Sequence, residues 1–398
     1  MAPQLRSKLQ LTIIIVATGI LAIQQAAGNN MDPHVYPPVG PFFEGWYLRV
    51  IDTYRNASFG FLFALILPAA GENITMEMKS RSLYNFPVPP EDHPLLCATL
   101  LVNPPEAQKL GSPTSCFDPS DYSVLKDGKP VEHNPDDKTP PDFEVKLANN
   151  ISFTVTPTGS QFSVSIGEHT LQGETTSPVP WGPGGEGPES WLEHLPLPIH
   201  WFVYSFRSTV TTYSYTNEAT KSVMKGGSSS VGPPVVAHME KNWGESFIEA
   251  WVWAEGVNPA TDVYFSLSSG LIKELSFEIP AQLSGYRNPA KGIHCSFHPA
   301  NSEHTLQHDG CAGTATLDVR SLECHVVIQL YAAPNSFSSC LVTPQPDGFR
   351  LGCVESYTAV ANITVHEVLY GVKDSQIIPL AALEFGGLYM CNGKCPDV

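Results

Sequence analysis

Four stretches of this chain concentrate acids and aromatic rings. The first is Phe42-Phe-Glu-Gly-Trp-Tyr-Leu-Arg-Val50, with Glu44 ahead of Trp46 and Tyr47. The second is Met239-Glu-Lys-Asn-Trp-Gly244, followed by Trp251 and Trp253. The third is Leu195-Pro-Leu-Pro-Ile-His-Trp201, and the fourth is Ala381-Ala-Leu-Glu-Phe-Gly-Gly387. A Glu kept protonated by an apolar site can act as a general acid. Tryptophan faces stabilise developing positive charge by about 0.5 to 2 kcal/mol each, and a dry cavity keeps water from capturing a cation. Glu44, Glu240 and Glu384 are therefore the candidate proton donors. Trp46, Tyr47, His200, Trp201, Asn242, Trp243, Trp251 and Trp253 are the candidate substrate contacts.

Each residue also has a structural reading. Glu44 can accept backbone hydrogen bonds or pair with Arg49 or Lys241, pinning its strand. Asn242 can bind a ligand oxygen or close a turn. Trp243 suits a core, and His200 suits either a base or a satisfied core histidine. Trp251 and Trp253 share one face of a strand. Glu355, in Cys353-Val-Glu-Ser-Tyr357, is a further acid inside an apolar stretch.

His294, Cys295, His298, His304, His308 and Cys311 crowd one segment. They do not follow a standard zinc-finger spacing, and lumenal cysteines oxidise readily, so no metal is expected. No nucleophile elbow, phosphate loop or dinucleotide fingerprint is present. The glycines of 182–187 lack the flanking strand and helix that such a fingerprint needs. No cofactor is expected.

The elements that must position these residues read as strands. Phe143, Val145 and Leu147 alternate with polar neighbours, as do Ile151, Phe153 and Val155, then Phe162, Val164 and Ile166. That pattern predicts a three-stranded meander with one buried face. Phe59 to Leu67 is almost continuously apolar and predicts a strand buried on both sides. Thr175 to Pro198 is rich in Pro and Gly and cannot hold a ladder. A second such loop spans Lys225 to Pro234. With no long periodic helix, the expected class is all-β: antiparallel barrels or sandwiches with apolar interiors. The expected divisions are a leader at 1–28, an N-terminal β unit at 32–190, and a cysteine-rich C-terminal β unit at 191–398.

The chain has 398 residues, 42% hydrophobic and 15% charged, which suits a large core. A net charge of −17 with no basic run argues against nucleic-acid binding. Arg6 and Lys8 precede the apolar segment Leu11 to Ile23, with small residues at Ala26 and Gly28, as in a cleaved secretion signal. That segment is short for a membrane span, which needs about 20 residues. Sequons stand at Asn56, Asn73, Asn150 and Asn362. Nine cysteines in an oxidising lumen imply disulfides, with one cysteine left over or paired outside the chain. Cys391 and Cys395 are candidates to pair with each other.

The ordered set FFEGWY, LPLPIHW, EKNWGESF with W-x-W, and ALEFGG resembles the tocopherol cyclase family. That family is related to lipocalin-like hydratases and pericyclases. The resemblance runs from about residue 34 to 387. It implies a tandem lipocalin-like antiparallel β fold around a hydrophobic cavity. It implies a cofactor-independent cyclisation, in which an acid protonates an alkene and a phenol oxygen closes onto the cation. The expected partner is a hydrophobic small molecule, prenylated or polyene, with peripheral membrane contact as one route of supply. The plant and cyanobacterial cyclases work at plastid or thylakoid membranes. Here the leader, sequons and cysteines point to the secretory lumen, and to a terpenoid or polyketide substrate of secondary metabolism. A lipid carrier without catalysis and a pericyclase are the alternatives.

Overall fold

The computed structural model describes residues 30–34, 39–69, 94–126, 129–130, 141–148, 150–228, 232–274, 277–367 and 371–395. The expected leader at 1–28 and the Asn73 sequon lie outside them. The described chain is all-β, with two antiparallel sheets of 13 and 10 strands. The helices in it are short 3-10 turns. The expected meander is present as Phe143–Leu147, Ile151–Thr156 and Gly159–Ile166. The apolar run near residue 60 is the strand Ala57–Leu67, buried along almost its whole length.

The 175–198 segment carries no strand beyond Thr175, as its prolines require. The first sheet nevertheless continues across it. The strand Ile199–Asn217 pairs with His169–Thr175 on one side and Val236–Gly244 on the other. The change of sheet falls between Gly244 and Ala250 rather than at the Pro/Gly-rich joint.

The site depends on the central strands of each sheet. In the first, Phe42–Asp52 lies between Ala57–Leu67 and Val236–Gly244. In the second, Gly371–Gly387 lies between Ala250–Asn258 and Gly348–Glu367. Side chains alternate faces along each strand. Trp46, Leu48 and Val50 therefore enter the core of the first sheet. Tyr47 and Ile51 point the other way, into a cluster shared with Trp251, Trp253 and Tyr357 of the second sheet. Val252 and Ala254, between and beyond those tryptophans, pack into the second sheet's own core. Each sheet thus has a private core, and the remaining faces meet.

Four disulfides join Cys97 to Cys116, Cys295 to Cys324, Cys311 to Cys391 and Cys340 to Cys395. The expected Cys391–Cys395 bridge is not formed. The tail crosses the turn after Glu303–Asp309, where the Tyr389 ring lies 3.7 Å from that of His308. This brings Cys391 to Cys311 instead. Cys353 is the free, buried thiol. Oxidation of Cys295 and Cys311 also removes both thiolates from the His/Cys segment that invited a metal reading.

Candidate functional site

A cavity of about 430 Å³ lies between the meeting faces. Its wall from the first sheet includes Tyr47, Trp201, Glu240 and Asn242. Its wall from the second includes Trp251, Trp253, Cys353, Glu355 and Glu384. Leu192, Leu195, Leu197 and Pro198, from the Pro-rich segment, complete one side with apolar surface.

The alternation rule decides which acids reach this space. Glu44 shares the face of Trp46 and is fully buried away from the cavity wall. Its carboxylate sits 2.6 Å from the Lys241 ammonium and 2.6 Å from the His34 ring, and it accepts the His34 amide at 2.8 Å. Burial alone would raise its pKa, but Lys241 and His34 together hold it below the usual carboxylate value. Lys241 also lies 5.1 Å above the Trp46 ring and 5.4 Å above that of Trp243. Glu44 is placed to anchor the strand.

Trp243 and His200 share this side of the sheet, as their cross-strand pairing requires. Trp243 is sandwiched between His34 at 4.7 Å and His200 at 5.1 Å. His200 is held at Nδ1 by Glu189 at 2.7 Å. Neither lines the cavity. Trp46 packs on Phe63 and donates its indole N–H to the Met31 carbonyl, while also contributing to the cavity wall.

Glu240, opposite Tyr47 in the strand register, does face the cavity. Its Oε2 is 3.0 Å from His238 Nε2 and accepts the Trp253 indole N–H at 3.2 Å. On the facing sheet, Glu355 and Glu384 are direct cross-strand partners. Tyr47 donates to Glu355 at 3.0 Å and lies 2.8 Å from the Tyr357 hydroxyl. Glu384 accepts the Trp251 indole N–H at 2.5 Å and the Cys353 thiol at 3.3 Å. Gly386, opposite Trp251, makes that contact feasible, because a Cβ there would come within 1.9 Å of the indole ring.

These surroundings favour the neutral acids. Burial pushes the Glu384 carboxyl up to about 7, with the Glu240 charge adding to the rise and the Trp251 and Cys353 hydrogen bonds opposing it. Burial and then the neighbouring Glu384 raise Glu355 well above the usual range. Behind the pair, a buried ion pair ties the sheets. Arg49 is fully buried, bonded to Glu255 at 2.5 Å and Ser58 at 2.8 Å, with its guanidinium 4.2 Å from the Tyr357 ring. Gly60 lets the Tyr357 hydroxyl approach, since a Cβ would meet it at 2.3 Å.

Of the sequence-derived acids, Glu240 and Glu384 converge on the cavity and Glu44 does not. Tyr47, Trp201, Asn242, Trp251 and Trp253 also line it. Glu355 joins the site, and Arg49, His238, Glu255 and Tyr357 support it from behind. Residue parity is the signal for these: each lies an even number of positions from a cavity residue on its own strand.

No family model matches this chain, and no curated protein matches it by sequence. Similarity does appear among solved structures. CghA shares 12% identity at a TM-score of 0.54, covering 94% of each chain. A protein assigned as AttH from Nitrosomonas europaea has 14% identity and a TM-score of 0.49, over 91% of this chain and 96% of its own. Kievitone hydratase from Nectria haematococca has 11% identity and a TM-score of 0.41, over 91% and 95%. At 12% identity the likeness to CghA is one of fold, and the described chain is all-β and lipocalin-like, in two sheets.

Proposed function

We propose that this protein is a cofactor-independent cyclase acting on a hydrophobic, alkene-bearing substrate such as a prenylated phenol, terpenoid or polyketide. The observation that carries this reading is the pair of facing carboxyls, Glu355 and Glu384, on the wall of a mostly apolar cavity. The Glu384 carboxyl gives its proton to one alkene carbon, leaving a tertiary cation on the other. The Trp251 and Trp253 rings stabilise that cation. A substrate hydroxyl oxygen bonds to the cation and loses its proton to the Glu384 carboxylate. The acid is restored, and the product is an isomer of the substrate. Water is kept out by the Leu/Pro side of the cavity.

Glu384→Gln keeps the hydrogen-bonding shape and removes the acidic proton. It should lower kcat by about 10² to 10⁴-fold while leaving ligand binding intact. Full turnover by this variant would exclude Glu384 as the donor. A chain that binds one lipid stoichiometrically and converts none would be a carrier.

A further inference from the structure

The cavity wall also constrains what the ligand must carry, a deduction that rests on the cavity being the ligand site but not on its chemistry. Trp201 and Asn242 are direct cross-strand neighbours on the first-sheet wall. Trp201 is almost wholly buried, yet its indole N–H has no hydrogen-bond partner among the described residues. A buried indole N–H normally finds one, because leaving it unpaired costs about 1 to 3 kcal/mol. Asn242 is only partly buried, and its carboxamide bonds to no described residue. Both residues line the cavity, and each carries a donor with no partner among the described residues. An indole N–H cannot accept, so the group that completes it must be an acceptor.

The charge of the lining narrows this further. Glu189, Glu240, Glu355 and Glu384 all border the cavity, and no Lys, Arg or His does among the described residues. Glu189 is already engaged by the His200 ring and by the Trp201 backbone amide at 2.7 Å. An anionic ligand would meet carboxyls with no lining side-chain cation to offset its charge.

We infer that Trp201 and Asn242 form a recognition site for a neutral oxygen acceptor, a carbonyl on an apolar chain, and that the cavity rejects carboxylates and diphosphates of similar size. The carbonyl oxygen takes the Trp201 Nε1 proton and one Asn242 amide proton. The apolar chain then runs along the Leu/Pro side and the tryptophans of the second sheet.

The test is equilibrium binding of three isoprenoid probes at pH 8, read by quenching of tryptophan fluorescence and confirmed by calorimetry. The probes are farnesylacetone, a neutral ketone; farnesoic acid, a carboxylate; and farnesene, a hydrocarbon. Farnesylacetone should bind at least about tenfold more tightly than either of the others, the effect of two neutral hydrogen bonds. Trp201→Phe should abolish its advantage over farnesene. Asn242→Leu, which does not touch the large ring, should reduce the same advantage. Equal binding of farnesoic acid and farnesylacetone, or a ketone preference that survives both substitutions, would overturn the assignment. Because binding is read without turnover, inactivity of the enzyme and failure of this recognition site are separate results.

Discussion

Glu384 and Glu44 show how the same residue type is shifted in opposite directions according to what surrounds the strand face it occupies. Glu384 is buried beside other acids, and its folded pKa of about 7 lies above the ordinary carboxylate value. Its stability contribution is fully present below the unfolded carboxylate range and is lost as pH rises through about 7. Glu44, held low by Lys241 and His34, does the reverse, and its contribution disappears as pH falls through its depressed pKa. Turnover should therefore decline as pH rises through about 7, as Glu384 ionises, which a kcat–pH profile would show. Glu44→Gln should destabilise the fold by about 3 to 5 kcal/mol at neutral pH, because it leaves the Lys241 ammonium buried and unpaired. Denaturant unfolding measures this. A Glu44→Gln protein of unchanged stability and no activity would restore Glu44 as a catalytic candidate.

At the scale of the strand, the period of two made much of the site readable. Glu44 and Trp46 share a face by parity, and Tyr47 lies opposite them. Glu240 and Asn242 share a face, as do Trp251 and Trp253. What parity does not give is which face meets the other sheet. That followed only once the register placed Tyr47 opposite Glu240 and Trp253 opposite Glu384. The meander at 143–166 was legible because one face is polar. The sheet boundary was not, because the strands flanking it, Val236–Gly244 and Ala250–Asn258, are buried on both sides and turn signals alone do not distinguish a loop within a sheet from a change of sheet. Disulfide partners were equally hidden, since they depend on where the tail crosses the second sheet. Gly386→Ala tests the element directly. The new methyl would displace the Trp251 indole from Glu384, so turnover should fall more than tenfold while the protein stays folded by circular dichroism. Wild-type activity would show that the Trp251 contact does not position the acid.

At the scale of the molecule, the described residues form two sheets, each with its own core, joined across a face that is both greasy and ionic. The Arg49–Glu255 pair is the fully buried ionic contact of that joint among the described residues. Arg49→Met should destabilise the protein by about 3 to 5 kcal/mol, because Glu255 is left buried without its partner. The four disulfides fit an oxidising compartment. Asn56, Asn150 and Asn362 are exposed, so each can meet a glycosyltransferase. A mobility shift on removal of N-glycans from protein expressed in eukaryotic cells is the expected result.

The most direct test of acid-driven ring closure is turnover in D₂O of the substrate recovered from a source lipid extract. The product is returned to H₂O and analysed by chromatography with mass spectrometry. Proton donation from Glu384 to an alkene places one solvent-derived deuterium on carbon. The expected product is therefore an isomer of shifted retention, heavier by about one mass unit, and it should be absent with Glu384→Gln. A shifted isomer without deuterium would contradict alkene protonation and indicate a pericyclic closure, and a bound but unconverted lipid would indicate a carrier.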